Sequence, residues 1–133
     1  MLPFVVDAPS AVQFTMLLLC GVLGLSHLLR PEIWTRFFTL LAAQGTSGVV
    51  VHSLISFSAV IIIVPFHNVW SGPAIAVTLW GWLMLAKVLL GLVISPAKAA
   101  RSLKLSEHGD AGFRIAGIVM LVVAGCAGWA LAG

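Results

Sequence analysis

The sequence predicts an all-α integral membrane protein: four transmembrane helices in one up-down bundle, a single domain, with a short interfacial helix after the first crossing. Composition is the first reason. Of 133 residues, 61% are hydrophobic and 8% charged, and the mean hydropathy is +1.15. A soluble domain carries roughly a quarter of its residues as charged side chains, so this chain cannot coat a globule in water. The second reason is where the charges fall. None lies between Asp7 and Arg30 (22 residues), none between Arg36 and Lys87 (50 residues), and none in the 19 residues after Arg114. About 20 apolar residues cross the hydrocarbon core. The outer stretches therefore hold one crossing each, and the middle one holds two with a break.

The first helix is expected over about 10–30, "SAVQFTMLLLCGVLGLSHLLR", with Ser10 as N-cap after Pro9. The following "RPEIWTRFFTLLAAQGTSG" sets Trp34, Phe37, Phe38 and Leu41 among Glu32 and Arg36 behind a helix-starting Pro31. That pattern reads as a helix lying in the interface, or as a polar-capped extension of the first helix. The second crossing is 48–66, "GVVVHSLISFSAVIIIVPF". Its β-branched run would favour a strand in water, but a lone strand in lipid leaves its backbone unsatisfied. "HNVWSGP" makes the turn, with Ser71 and Pro73 as cap and first-turn residues of a third helix over 73–95 that stops at Pro96. "PAKAARSLKLSEHGDAGFR" carries five charges between Lys98 and Asp110 and is expected as a polar, partly amphipathic surface loop. The fourth helix is expected over 112–132.

The third reason is that this count is self-consistent in charge. Arg30 and Arg36 fall between the first two crossings, and Lys98, Arg101, Lys104 and Arg114 between the last two. With four crossings both basic loops lie on one side. The positive-inside rule makes loops 31–47 and 96–114 cytoplasmic and both termini external, in a bacterial inner membrane. "MLPFVVDAPS" lacks the basic start of a secretory signal, and Leu19 stands where a lipoprotein cleavage box wants a small residue. The first apolar segment is therefore expected to stay in the mature protein.

Polar residues inside the crossings carry whatever chemistry there is. Lys87 lies nine residues before Pro96, about 13 Å at 1.5 Å per residue. It is expected either to snorkel to the headgroups or to face partners in the bundle. His27, His52 and Lys87 occupy neighbouring depths on three helices, with the first two helices taken as neighbours. If all three face inward they form one polar pocket on the basic side. Such a pocket can relay protons or hold an anionic solute, hydrogen-bond the bundle together, or ligate haem b between His27 and His52. Gly21, Gly24 and Gly48 would make room for the haem. At the other end Gln13, His67, Asn68, Trp70 and Thr78 share a depth; "HNVW" at 67–70 reads as a turn with an interfacial tryptophan anchor. Trp80 and Trp82 lie deeper, to fill the core or flank a planar ligand. Ala124, Gly128 and Ala132 repeat every four residues, a helix-contact face whose partner is the first helix, another copy or another protein. Cys20 and Cys126 read as small hydrophobes that approach one another if the first and last helices pack.

Together, "LSHLLRP" at 25–31, "HNVW" at 67–70, "LWGWLMLAK" at 79–87 and "SP" at 95–96 resemble an uncharacterised family of small four-helix bacterial inner-membrane proteins. The resemblance covers about residues 20–96 and implies bacterial origin and four helices, without an activity. The chain lacks an intramembrane carboxylate, a nucleophile beside a base, a phosphate-cradling loop and a metalloprotease motif, so no enzyme is expected. The net charge of +3 is scattered and does not point to nucleic acid. The leading expectation is an accessory or structural subunit that joins itself or a larger membrane complex through helix faces, with no cofactor and no metal. The alternatives are a small oligomeric or proton-coupled carrier using His27, His52 and Lys87, and a bis-histidine haem protein.

Overall fold

The computed structural model describes residues 2–105 and 109–133. Six helices follow in order: α1 (Ala8–Leu29), α2 (Pro31–Ala43), α3 (Thr46–Phe66), α4 (Ile75–Leu89, continued by a π-helical turn, Leu90–Ile94), α5 (Pro96–Leu105) and α6 (Asp110–Ala132). Four of these, α1, α3, α4 with its π turn, and α6, are long and apolar enough to cross a membrane. The chain is an all-α, multi-pass bundle.

Chain chemistry sets the helix ends. Ser10 is not the N-cap of α1. Asp7 is, its Oδ1 accepting from Ser10 N–H (2.8 Å) while Ser10 Oγ accepts from Asp7 N–H (3.0 Å). This reciprocal box satisfies two orphan donors, and Pro9 costs nothing in a first turn. Those hydrogen bonds hold the Asp7 carboxyl below the usual carboxylate range. Nor do Ser71 and Pro73 cap α4: Gly72 turns the chain at φ +59°, and the helix starts at Ile75 without a side-chain cap. Pro31 closes α1 and opens α2 as a separate helix, so α2 is not an extension of α1. The expected loop after Pro96 is also corrected. Residues 96–105 form α5, which turns Ala99, Ala100 and Leu103 inward and leaves Lys98 and Arg101 exposed. Ser106, Glu107 and His108 of that expected loop lie outside the described residues.

Pairing departs from chain order. α1 packs chiefly on α6, and α3 chiefly on α4, so the first two crossings are not the main neighbours that adjacency suggests. The α1–α6 crossing is set by Gly24 and Gly117. A Cβ on Gly24 would stand 2.9 Å from Gly117 O, and one on Gly117 would stand 2.7 Å from Gly24 O. Two bare backbones allow that approach. The main core joins Val12, Met16 and Cys20 of α1, Ala59 and Ile63 of α3, Val77 of α4, and Val123, Ala124 and Ala127 of α6. A second, smaller core joins α2, α3 and α5 at one end: Ala42, Val49 and Leu103, with Phe38, Ala99 and Ala100 against them. The two basic connections thus meet at one end of the bundle, here called the basic end.

Candidate functional site: a donor-lined cleft at the basic end

A cleft of about 120 Å³ opens between α3, the π turn and α5, lined by His52, Ser53, Lys87, Gly91, Lys98 and Ser102 among others. Pro96 shapes it. Having no N–H, Pro96 cannot serve the carbonyl four residues back, and the last turn widens so that Ser95 N–H reaches Leu90 O (2.9 Å). The chain then turns into α5, whose first turns carry Lys98 and Ser102 over the end of α4. Gly91 lets the wall close: a Cβ there would lie 2.9 Å from Ser53 Oγ. Lys87 and Lys98 are exposed and form the rim; His52 is half-buried and Ser53 is buried.

The chemistry of this lining is one-sided. It offers two ammonium groups, an imidazole and two hydroxyls, and among the described residues it includes no carboxylate. None of these five side chains has a hydrogen-bond or ion-pair partner among the described residues. The sequence reading named His52 and Lys87 for such a pocket. It missed Ser53, a small hydroxyl within the second crossing, and it missed Lys98 and Ser102 because it read residues 96–114 as a loop. The signal was Pro96 followed by Ala99 and Leu103 at four-residue spacing.

Comparison with protein-family models, curated proteins and solved structures finds no match. What this chain does rests on its own residues.

His27 does not join the cleft. It is buried; its Nδ1–H donates to Leu23 O (2.7 Å), and its ring stacks on Trp34 at 3.9 Å and 18°. Trp34 in turn donates from Nε1 to Ser26 Oγ (3.0 Å), folding α2 back onto α1. Ring contacts run from His27 through Phe113 and Phe38 to His52, at 6.0, 5.1 and 5.1 Å. The two imidazoles thus sit at opposite ends of an aromatic chain rather than facing one space. Two of the glycines meant to make room are closed, Gly24 by Gly117 and Gly48 by Leu41 O, while Gly21 has open space beside it.

The opposite end holds a closed polar network. Thr78 Oγ1 donates to Val69 O (2.7 Å), accepts from Val69 N–H (3.1 Å) and lies 3.0 Å from His67 Nδ1. With its only proton spent on a carbonyl, Thr78 can only accept from His67, so Nδ1 carries hydrogen. His67 Nε2 is then a lone pair, facing the Gln13 amide donor at 3.2 Å. Gln13, His67 and Thr78 are all buried, the last two completely, and burial holds His67 below the ordinary imidazole pKa. Asn68 donates to Val64 O (2.6 Å) and accepts from Trp82 Nε1 (3.1 Å). Trp70 stays exposed. Four of the five residues grouped by depth are therefore joined, directly or through the 67–69 turn.

On α6, Ala124 is buried in the core and Gly128 packs on Leu17 of α1, whereas Ala132 is exposed at the helix end. The small-residue face is thus largely occupied within the chain. The opposite face shows Ile118, Val122 and Trp129, with nothing within 4 Å of a Cβ on Gly125. Cys20 is buried, Cys126 half-buried, and both are free thiols.

Proposed function

We propose that this is a non-enzymatic accessory protein of a bacterial inner membrane, with the basic end in the cytoplasm, both termini outside, and a cleft that holds an anionic group. The single observation behind this reading is a cleft of donors with no described acceptor, confined to one end. Met16, Ile63 and Val77, each fully buried, fill the core between the cleft and the His67 network. Such a site holds a charge rather than passing one across. Attachment to a larger membrane complex uses the outer face of α6, since α1 already occupies the Ala124 and Gly128 face.

The test is native mass spectrometry of protein extracted gently from its own membrane. The expected result is a heteromeric assembly that Gly125→Leu disperses while the helical content stays unchanged. A lone wild-type chain would remove the accessory role.

The carrier reading stays second, supported by the convergence of His52 and Lys87 on one cleft. It predicts saturable anion flux in proteoliposomes that Lys87→Met abolishes. Flux equal to that of empty vesicles would end it.

A further inference from the structure

Which anion the cleft takes can be argued from its donors, on the footing that it holds one at all. We infer that the cleft binds a phosphate group, on a lipid headgroup or free in solution. The fork of an arginine matches a carboxylate and a phosphate alike, and no arginine lines the cleft; Arg36, Arg101 and Arg114 are exposed outside it. The lining instead supplies two lysines, which bind phosphate as point charges, together with hydroxyl and imidazole donors. These come from three directions: His52 and Ser53 from α3, Lys87 from α4, and Lys98 and Ser102 from α5. Donors spread around a centre suit a tetrahedral group with several acceptor oxygens. They suit a flat group with two oxygens poorly.

Size points the same way. Pockets for drug-sized ligands run to about 300–1,000 Å³, and this cleft offers about 120 Å³. That is room for one phosphate and little more. The surroundings decide how a lipid would present it. Leu90, Val93 and Ile94 on the π turn are exposed, an apolar flank for acyl chains directly beside the charged rim. Lys87 lies seven residues before Ile94, about 10 Å along the axis, and its stem covers much of that distance toward Lys98. Snorkelling and service in a site are thus the same conformation for Lys87.

The experiment uses the full chain in nanodiscs of zwitterionic lipid at fixed ionic strength. Binding of inorganic phosphate and of acetate is measured by calorimetry. Retention of a phosphomonoester lipid against a neutral lipid with the same chains is measured by native mass spectrometry. The expected result is binding of a phosphate-bearing ligand, weakened at least tenfold by Lys87→Met and by Lys98→Gln. Arg101→Gln, also on α5 but outside the cleft, should leave binding intact. Phosphate uptake from solution identifies a soluble ligand, and retention of the lipid alone identifies a headgroup. Acetate bound as tightly as phosphate overturns the phosphate assignment and leaves the anion reading standing. No binding of any anion overturns both. An equal loss from Arg101→Gln reduces the effect to general surface charge and overturns the site. Lys98→Gln lies on an exposed position, so it reports even if Lys87→Met disturbs folding.

Discussion

Thr78→Val tests the polar network at the end opposite the cleft, because it removes one hydroxyl and nearly no volume. That hydroxyl serves three partners, at 2.7, 3.0 and 3.1 Å. The loss is unequal among them. His67 is fully buried, so its Nδ1–H becomes an orphan donor at about 1–3 kcal/mol. Val69 is half-buried; its N–H and C=O keep some access to water and each loses about 0.5–1 kcal/mol. The expected destabilisation is about 2–5 kcal/mol, read from reversible unfolding in mixed micelles. Thr78→Ser keeps the hydroxyl and should recover most of it. A double-mutant cycle of Thr78→Val with His67→Phe should give a smaller coupling, about 0.6–1.7 kcal/mol, since an unfolded chain in detergent also finds partners. If Thr78→Val stays within about 0.5 kcal/mol of wild type, the network does not hold the turn to the bundle. Nitrogen NMR of His67 gives an independent check. A proton on Nε2 instead of Nδ1 would refute the donor assignment.

Two further outcomes follow from the same geometry. Gly24→Ala drives a methyl to 2.9 Å from Gly117 O, an overpacked crossing expected to cost about 1–3 kcal/mol; Gly21→Ala, with nothing within 4 Å, should be neutral or stabilise through helix propensity. Equal effects of the two in unfolding assays would mean that α1 and α6 do not meet at Gly24. Stability should also fall on acidification. His67 is held below its ordinary value of 6.5 by burial, so above about pH 6.5 both folded and unfolded states are neutral there. As pH falls below that point the unfolded chain takes the proton first, and stability drops toward the folded pKa. His67→Gln should flatten that limb of the pH–stability curve, and an unchanged limb would place the titration elsewhere.

The crossings were legible because a charge is expensive in lipid, so the gaps between Asp7, Arg30, Arg36, Lys87 and Arg114 mark them directly. α5 was hidden by the same rule, since its charged residues resembled a loop until Ala99, Ala100 and Leu103 are read as one inward face. Helix pairing was not legible. Small residues on α6 announce a close contact, but Gly24 names the partner only once α1 and α6 are seen together. Depth alone grouped Gln13, His67, Asn68, Trp70 and Thr78, and all but the exposed Trp70 meet in one network, because hydrogen-bonding partners must share a level. Depth also misplaced His27 beside His52. The missing quantity was azimuth: His27 turns toward Trp34 and Phe113, whereas His52 turns toward Lys87.

The contrast between the two ends carries the functional argument. At one end every donor of Gln13, His67, Thr78 and Asn68 that the fold buries has been given an acceptor, which is what a structural network requires. At the other end, five donor-bearing side chains share a cleft and none has a hydrogen-bond or ion-pair partner among the described residues. Lys87 and Lys98 keep their ammonium groups exposed at the rim, which spares them most of the penalty of a buried charge. On the proposed reading, Lys87 serves to meet an anion that the four helices do not themselves supply. Lys98, Ser53 and Ser102 line the same cleft, and on that reading they would meet the several oxygens of the proposed phosphate group.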